Sequence, residues 1–140
     1  MLTMKQEISV GIILIKENPL KFLLMKRRDN NIWDFPKGHI HKNETFENCI
    51  LRELKEETQI SNVTFFKNFK EEFTFINPKG SFRKIILFLG KTNDKVVLSN
   101  ENTSFKWCSF KEANELVKFK EKKEILNKVM NYFENSYLLR

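Results

Sequence analysis

The chain has 140 residues, of which 41% are hydrophobic and 31% charged, so it can bury a sizeable core and is too apolar to be disordered. Its formal net charge of +7 favours anionic partners, whether nucleic acid, membrane or polyphosphate, although a general bias in composition that makes lysine abundant throughout explains that charge equally well. Because no repeat, low-complexity run or glycine-rich linker divides the chain, residues 1–140 are expected to form a single domain.

The N-terminal third predicts a β-hairpin. Residues 8–15 and 21–27 are rich in branched apolar side chains and predict two strands, with Pro19 in the turn between them. The first run is too short to span a bilayer and has no cleavage site for a signal peptide after it, so we expect a cytoplasmic protein without a membrane partner. Cys49 and Cys108 form no CxxC pair, which favours reduced, buried thiols over a disulfide or a metal site.

A loop and a helix follow the hairpin. Residues 28–32 are polar, and residues 33–39, WDFPKGH, contain a proline and a glycine that fit neither a helix nor a central strand, so both stretches predict loops. A helix is expected from about Glu44 to about Gln59, with Asn43 as its N-cap.

The C-terminal half predicts more strands and two amphipathic helices. The predicted strands are 62–75, 81–90, 96–100 and 104–110, and the predicted helices are 110–117 and 120–133. Strands mixed with helices in this way predict an α/β fold in which a sheet is covered on both faces.

Three acidic side chains crowd together on the first predicted helix. At about 100° per residue, Glu53, Glu56 and Glu57 fall within an arc of about 100°, beside an apolar arc of similar width. Such a group can be a solvated charged face, or it can hold a hard divalent cation such as Mg²⁺, which prefers oxygen ligands and bridges carboxylates to phosphates. The helix alone does not decide between these interpretations.

The longer pattern around these residues resembles the signature of the Nudix hydrolases. Eight of its nine fixed places are filled, namely by Gly38, Glu44, Arg52, Glu53, Leu54, Glu56, Glu57 and the apolar Ile60. One place departs from the family pattern, because Gln59 stands where the family has a glycine at the end of the helix. Glycine suits a left-handed C-terminal cap better than glutamine does, so the departure bears on local stability rather than on the metal site.

The resemblance implies an α/β/α sandwich around a mixed β-sheet and a hydrolysis that depends on Mg²⁺ or Mn²⁺. It assigns metal binding to Glu53, Glu56, Glu57 and the carbonyl of Gly38, and it implies catalytic roles for Glu53 and Glu57. Family members pair the residues at the positions of Glu44 and Arg52, which holds the loop on the helix. A protein that transfers phosphoryl groups mainly neutralises charge and aligns the attack, and these residues suit that task.

Two further stretches resemble the asymmetrical diadenosine tetraphosphate hydrolases within that family. They are WDFPKGH and residues 98–123, which contain S-x-E, aromatic-x-Trp, E-A and FKE-x-K in order. This closer resemblance implies a small-molecule dinucleoside polyphosphate substrate and adds candidate residues. The implied roles are a catalytic carboxylate for Glu101, phosphate binding for Lys37, Arg83 and Lys84, and nucleobase stacking for Phe75 and Phe119.

Other functions remain open at this point. An RNA 5′-pyrophosphohydrolase would use the basic surface for 5′-phosphorylated RNA, and a diphosphoinositol polyphosphate hydrolase shares the FPKG segment. A nucleotide-sensing module without activity is the non-enzymatic alternative, but Glu53, Glu56 and Glu57 are all present, which favours hydrolysis. We expect a monomer without other nucleic-acid partners.

Overall fold

The alternating side chains of the first strand determine how the layers of the fold are arranged. The computed structural model describes residues 6–100 and 102–138, and the side chains of all of these except 102, 103 and 136–138. Its elements in chain order are β1 (Gln6–Lys16), β2 (Lys21–Arg27), β3 (Trp33–Asp34), β4 (Lys37–His39), α1 (Phe46–Thr58), β5 (Thr64–Ile76), β6 (Phe82–Lys91), β7 (Asn102–Cys108), α2 (Phe110–Leu116) and α3 (Lys120–Leu138).

The described strands form one mixed sheet. Its main path runs β3-β2-β1-β6-β5, while β4 pairs with β1 and β7 pairs with β2. The pairing of β1 with β6 is parallel, and the other pairings are antiparallel. The expected mixed sheet is therefore confirmed.

Helices cover both faces of this sheet, because β1 is apolar on both sides. Val10, Ile12 and Leu14 of β1 belong to the core that contains buried residues of α1. Ile13 and Ile15, which point to the opposite face, belong to the core that contains buried residues of α2 and α3. The chain thus folds as the expected α/β/α sandwich.

The structure confirms the predicted hairpin, the long strands and the C-terminal helices.

The interpretation of residues 33–39 as a loop was wrong in part. This segment contains the short strands β3 and β4, and Gly38 of β4 lies opposite Val10 of β1. Pro36 lies between the two short strands, so its missing N–H interrupts neither ladder. The pairing with β1 fixes the position of Gly38 relative to the sheet.

The predicted strand at 96–100 is also wrong. The Val97 N–H donates to the Thr58 carbonyl at 2.9 Å, and the Ser99 N–H donates to the Glu57 carbonyl at 3.1 Å. These two carbonyls belong to the last turn of α1, where a helix leaves its acceptors without internal partners. The segment therefore caps the end of α1 instead of joining the sheet.

The first helix begins two residues later than its predicted cap. Thr45, rather than Asn43, is the N-cap, since its side chain accepts from the Asn48 N–H at 3.1 Å. Gln59 is the C-cap with φ 59° and ψ 14°, the left-handed conformation for which the family pattern has glycine.

Within 6–100 and 102–138, no helix has both the length and the apolar character needed to cross a membrane.

Candidate active site

A polar cavity of about 530 Å³ opens where the first residues of β1 and β6 meet β4 and the second half of α1. Most of the predicted site residues line it. They are Lys37, Gly38, Arg52, Glu53, Glu56, Glu57 and Arg83. The fold thus gathers these predicted residues, which come from three separate parts of the sequence, around one cavity.

Arg52 offsets the repulsion among the acidic side chains of α1. Its Nη1 lies 2.8 Å from Glu53 Oε1 and 3.5 Å from Glu56 Oε2. Its Nη2 also donates to the His39 carbonyl at 3.0 Å, which joins the helix to β4. The like charges on α1 are therefore partly neutralised by an arginine of the same helix.

The predicted pairing of Glu44 with Arg52 is present and is bidentate. Arg52 Nε lies 2.6 Å from Glu44 Oε2, Arg52 Nη2 lies 3.0 Å from Glu44 Oε1, and the His41 N–H donates to Glu44 Oε1 at 3.0 Å. The hydrogen bonds between Arg52 and Glu44 lower the pKa of Glu44 to about 2 and raise the pKa of Arg52. This pair holds the loop before α1 against the helix.

Gly38 lies directly beneath the Glu53 carboxylate. A Cβ built at residue 38 would overlap all three atoms of that carboxylate. A larger residue at position 38 would therefore displace the Glu53 side chain, and the Gly38 backbone and Glu53 line the same wall of the cavity.

The three glutamates of α1 differ in exposure. Glu57 is buried with 5% of its surface exposed, whereas the Glu56 side chain is 59% exposed. Among the residues described, no three His, Cys, Asp or Glu side chains are already gathered as a metal centre. Glu53 is turned towards Arg52, but a set of carboxylate oxygens around a polar cavity fits the chemistry of a hard divalent cation.

The structure brings two of the three predicted phosphate-binding residues to the cavity. Lys37 lines it with its Nζ 3.5 Å from Asp34, and Arg83 lines it with its Nη2 2.8 Å from Glu7. Lys84 does not line it, because successive residues of a strand point to opposite faces of the sheet. Lys84 instead lies 3.5 Å from Glu72 on the other face.

Both predicted stacking residues present exposed rings. Phe75 is 41% exposed, lies opposite Arg83 in the pairing of β5 with β6, and stacks on Phe73 with ring centroids 6.4 Å apart. Phe119, between α2 and α3, is 51% exposed. A large exposed aromatic ring offers a flat apolar surface to a nucleobase. Glu101 lies outside the described residues.

Sequence reasoning overlooked Arg27 and Lys122. Arg27 lines the cavity from the end of β2, a place at which strand residues often face a ligand. Lys122 is buried and shares the spacing of the buried apolar residues Ile125 and Val129 in α3. A lysine at an apolar position of an amphipathic helix was the signal that could have identified it.

Comparison with known proteins agrees with this arrangement. The asymmetrical bis(5′-nucleosyl)-tetraphosphatase of Mus musculus is 32% identical over 113 residues, which cover 76% of each chain. An RNA pyrophosphohydrolase of Campylobacter jejuni is 30% identical over an alignment of 140 residues that covers 89% of each chain.

The crystal structure of a Caenorhabditis elegans Ap4A hydrolase binary complex matches with a TM-score of 0.84 and 25% identity, covering 92% of this chain and 98% of the other. The model of the NUDIX domain matches residues 5–129. The chain therefore belongs to the Nudix family.

Proposed function

We propose that this protein, as one domain over residues 1–140, hydrolyses diadenosine tetraphosphate asymmetrically to ATP and AMP. The observation that carries the proposal is the cavity, which has carboxylates from α1 on one side and the cations Lys37 and Arg83 on others. A chain of phosphates needs both kinds of group, and the exposed rings of Phe75 and Phe119 suit its terminal adenines. The names of the mouse and nematode relatives support this choice of substrate.

Nudix hydrolases in general depend on a divalent metal. We assign Mg²⁺ or Mn²⁺ to Glu53, Glu56, Glu57 and the Gly38 carbonyl. Such an ion, when bound, neutralises phosphate charge and makes a bound water more acidic.

The chain's own residues complete the proposed chemistry. Lys37 and Arg83 bind phosphate oxygens, and Arg52 orients Glu53 through their 2.8 Å ion pair. Glu53, Glu57 and Glu101 are the candidates for the base that takes a proton from the attacking water. We further propose that the protein is a cytoplasmic monomer.

A second candidate function is hydrolysis of a 5′-terminal phosphate on RNA. The similarity to the Campylobacter jejuni protein and the formal charge of +7 favour it, since a basic surface attracts the RNA backbone. Phosphate-binding residues and a divalent metal serve both reactions, so the cavity alone does not discriminate between the two substrates.

A substrate panel discriminates between them. The purified protein is incubated with Mg²⁺ and diadenosine tri-, tetra- or pentaphosphate, 5′-triphosphorylated RNA, a diphosphoinositol or an oxidised deoxynucleoside triphosphate, and products are separated by anion exchange. We expect the highest kcat/KM for diadenosine tetraphosphate, and we expect the Glu57→Gln variant, prepared in parallel, to exclude contaminating activity. A higher kcat/KM for triphosphorylated RNA would reject the proposed substrate.

A further inference from the structure

Lys122 is a buried cation in the first turn of α3. Its side chain is 5% exposed, and it follows the same helical spacing as Ile125, Leu126 and Val129, which are all buried. Removing an ammonium group from water costs several kcal/mol unless a partner compensates for it, so such positions are usually apolar. A lysine here therefore needs an explanation other than core packing.

The partner of Lys122 connects it to the cavity. Lys122 Nζ lies 2.7 Å from Asp34 Oδ2, and Lys37 Nζ lies 3.5 Å from the same oxygen. The other carboxylate oxygen, Asp34 Oδ1, accepts the Phe35 N–H at 2.8 Å, which fixes the orientation of the carboxylate. One anion thus holds two cations, and the group of three keeps a net positive charge beside a cavity that suits phosphates.

Lys122 also contacts one of the exposed aromatic rings. Its Nζ lies 5.0 Å from the centroid of the Phe119 ring, within the range of a cation–π contact. The Phe119 carbonyl accepts the Lys122 N–H at 3.0 Å, so the backbone of Phe119 is joined to the same turn of α3. Burial lowers the pKa of Lys122, and Asp34 opposes that change by favouring the charged ammonium.

We propose that Lys122 is a positioning residue that fixes the Phe119 ring and the Lys37 ammonium relative to each other through Asp34. The ring would bind a nucleobase and Lys37 would bind a phosphate, so the two parts of a nucleotide are recognised as a unit. This inference rests on the proposed function, and it adds that a base attached to phosphates binds more favourably than its separate parts would.

A purely structural ion pair gives a different expectation. If Lys122 only stabilised the packing of α3 on the sheet, its replacement would change the melting temperature and leave the energetic coupling between Phe119 and Lys37 unchanged. Coupling between two positions is measured by a double-mutant cycle, which is the readout that separates positioning from stability.

The test measures binding rather than turnover. Calorimetry with Mg²⁺ gives the affinities for a methylene-bridged, non-hydrolysable ATP analogue and for inorganic tripolyphosphate. The variants are Phe119→Leu, Lys37→Met and their combination, each made in the wild-type protein and in Lys122→Met. Lys120→Met is the matched control, because Lys120 neighbours Phe119 and carries the same charge on a side chain that is 86% exposed.

We expect Lys122→Met to weaken binding of the ATP analogue about tenfold and Lys120→Met to change it less than about twofold. In the wild-type protein the two substitutions at Phe119 and Lys37 should deviate from additivity by at least about threefold, and in Lys122→Met they should be additive. Tripolyphosphate binding should respond to Lys37→Met and should not respond to Phe119→Leu.

Additive effects in the wild-type protein, or equal coupling with and without Lys122, would overturn the inference. If Lys122→Met does not fold, the double-mutant cycle is measured in Asp34→Asn, which removes the Lys122–Asp34 ion pair from the other side. A wild-type protein that neither binds the analogue nor hydrolyses any dinucleoside polyphosphate would reject the proposed function together with the inference. Hydrolysis with unchanged coupling would reject the inference alone.

Discussion

Replacement of Gly38 by alanine should affect activity much more than stability. The backbone of Gly38 does not have a positive φ, so alanine is not strained there, but its Cβ would occupy the space of the Glu53 carboxylate. Glu53 must then swing away and lose its 2.8 Å ion pair with Arg52. A partly exposed, charge-assisted hydrogen bond of this kind contributes about 1–2 kcal/mol.

For a chain of 140 residues this loss lowers the Tm by about 3–8 °C. If Glu53 binds the metal as proposed, a displacement of its carboxylate by about 1 Å should lower kcat about 100-fold. Gly11→Ala is the contrasting control, because a Cβ there would lie 2.6 Å from the Pro36 carbonyl oxygen, which cannot rotate away. That variant should lose stability.

A cycle with Glu53→Ala isolates the cause. In Glu53→Ala the three atoms nearest to the new methyl group are removed, so Gly38→Ala should have a much smaller effect on Tm and on residual turnover in that background. The measurements are thermal unfolding and product formation for the four proteins. Equal effects of Gly38→Ala with and without Glu53 would refute the steric explanation, as would wild-type turnover in the single variant.

Three other predictions concern the remaining site residues. Glu56→Gln and Glu57→Gln should each lower turnover at least about 100-fold in a folded protein, because a lost metal ligand removes charge stabilisation; wild-type turnover in both variants would contradict the metal site. Phe75→Leu or Phe119→Leu should lower kcat/KM by a factor that corresponds to about 1–3 kcal/mol of lost stacking energy. A large fall in Tm with unchanged kinetics would instead indicate a packing role. The pKa of Glu44 is lowered from 4.5 to about 2 by its arginine partner, so its contribution to stability is present above about pH 4.5 and is lost towards pH 2. Denaturant unfolding across this pH range should show a larger loss in the wild-type protein than in Glu44→Gln, in which only other carboxylates with lowered pKa values, such as Asp94 and Glu112, still contribute.

Much of the fold follows from local periodicity. The apolar run of β1 and the amphipathic spacing of α3 are properties of consecutive residues, and both elements were predicted. Residues 96–100 have the composition of a strand, but their N–H groups donate to the end of α1, which only the folded chain brings near. Sequence alone does not show which distant acceptors are left without partners.

The sequence predicted those parts of the candidate site whose residues follow a regular spacing along the chain. Adjacent residues of a strand point to opposite faces of the sheet, so the alternation of side chains in the predicted strand was enough to place Arg83 and Lys84 on different faces. The ion pair of Lys122 was not predictable, because its partner Asp34 lies in a distant part of the chain. Its apolar spacing marked the position as unusual without identifying what it contacts.

The position of water attack tests the central proposal most directly. Diadenosine tetraphosphate is hydrolysed in ¹⁸O-labelled water with Mg²⁺, and the products are separated and weighed by mass spectrometry. We predict ATP and AMP with the label in AMP, because attack on the phosphate next to one adenosine leaves the other three phosphates to depart as ATP. Two molecules of ADP, or label confined to ATP, would contradict this account.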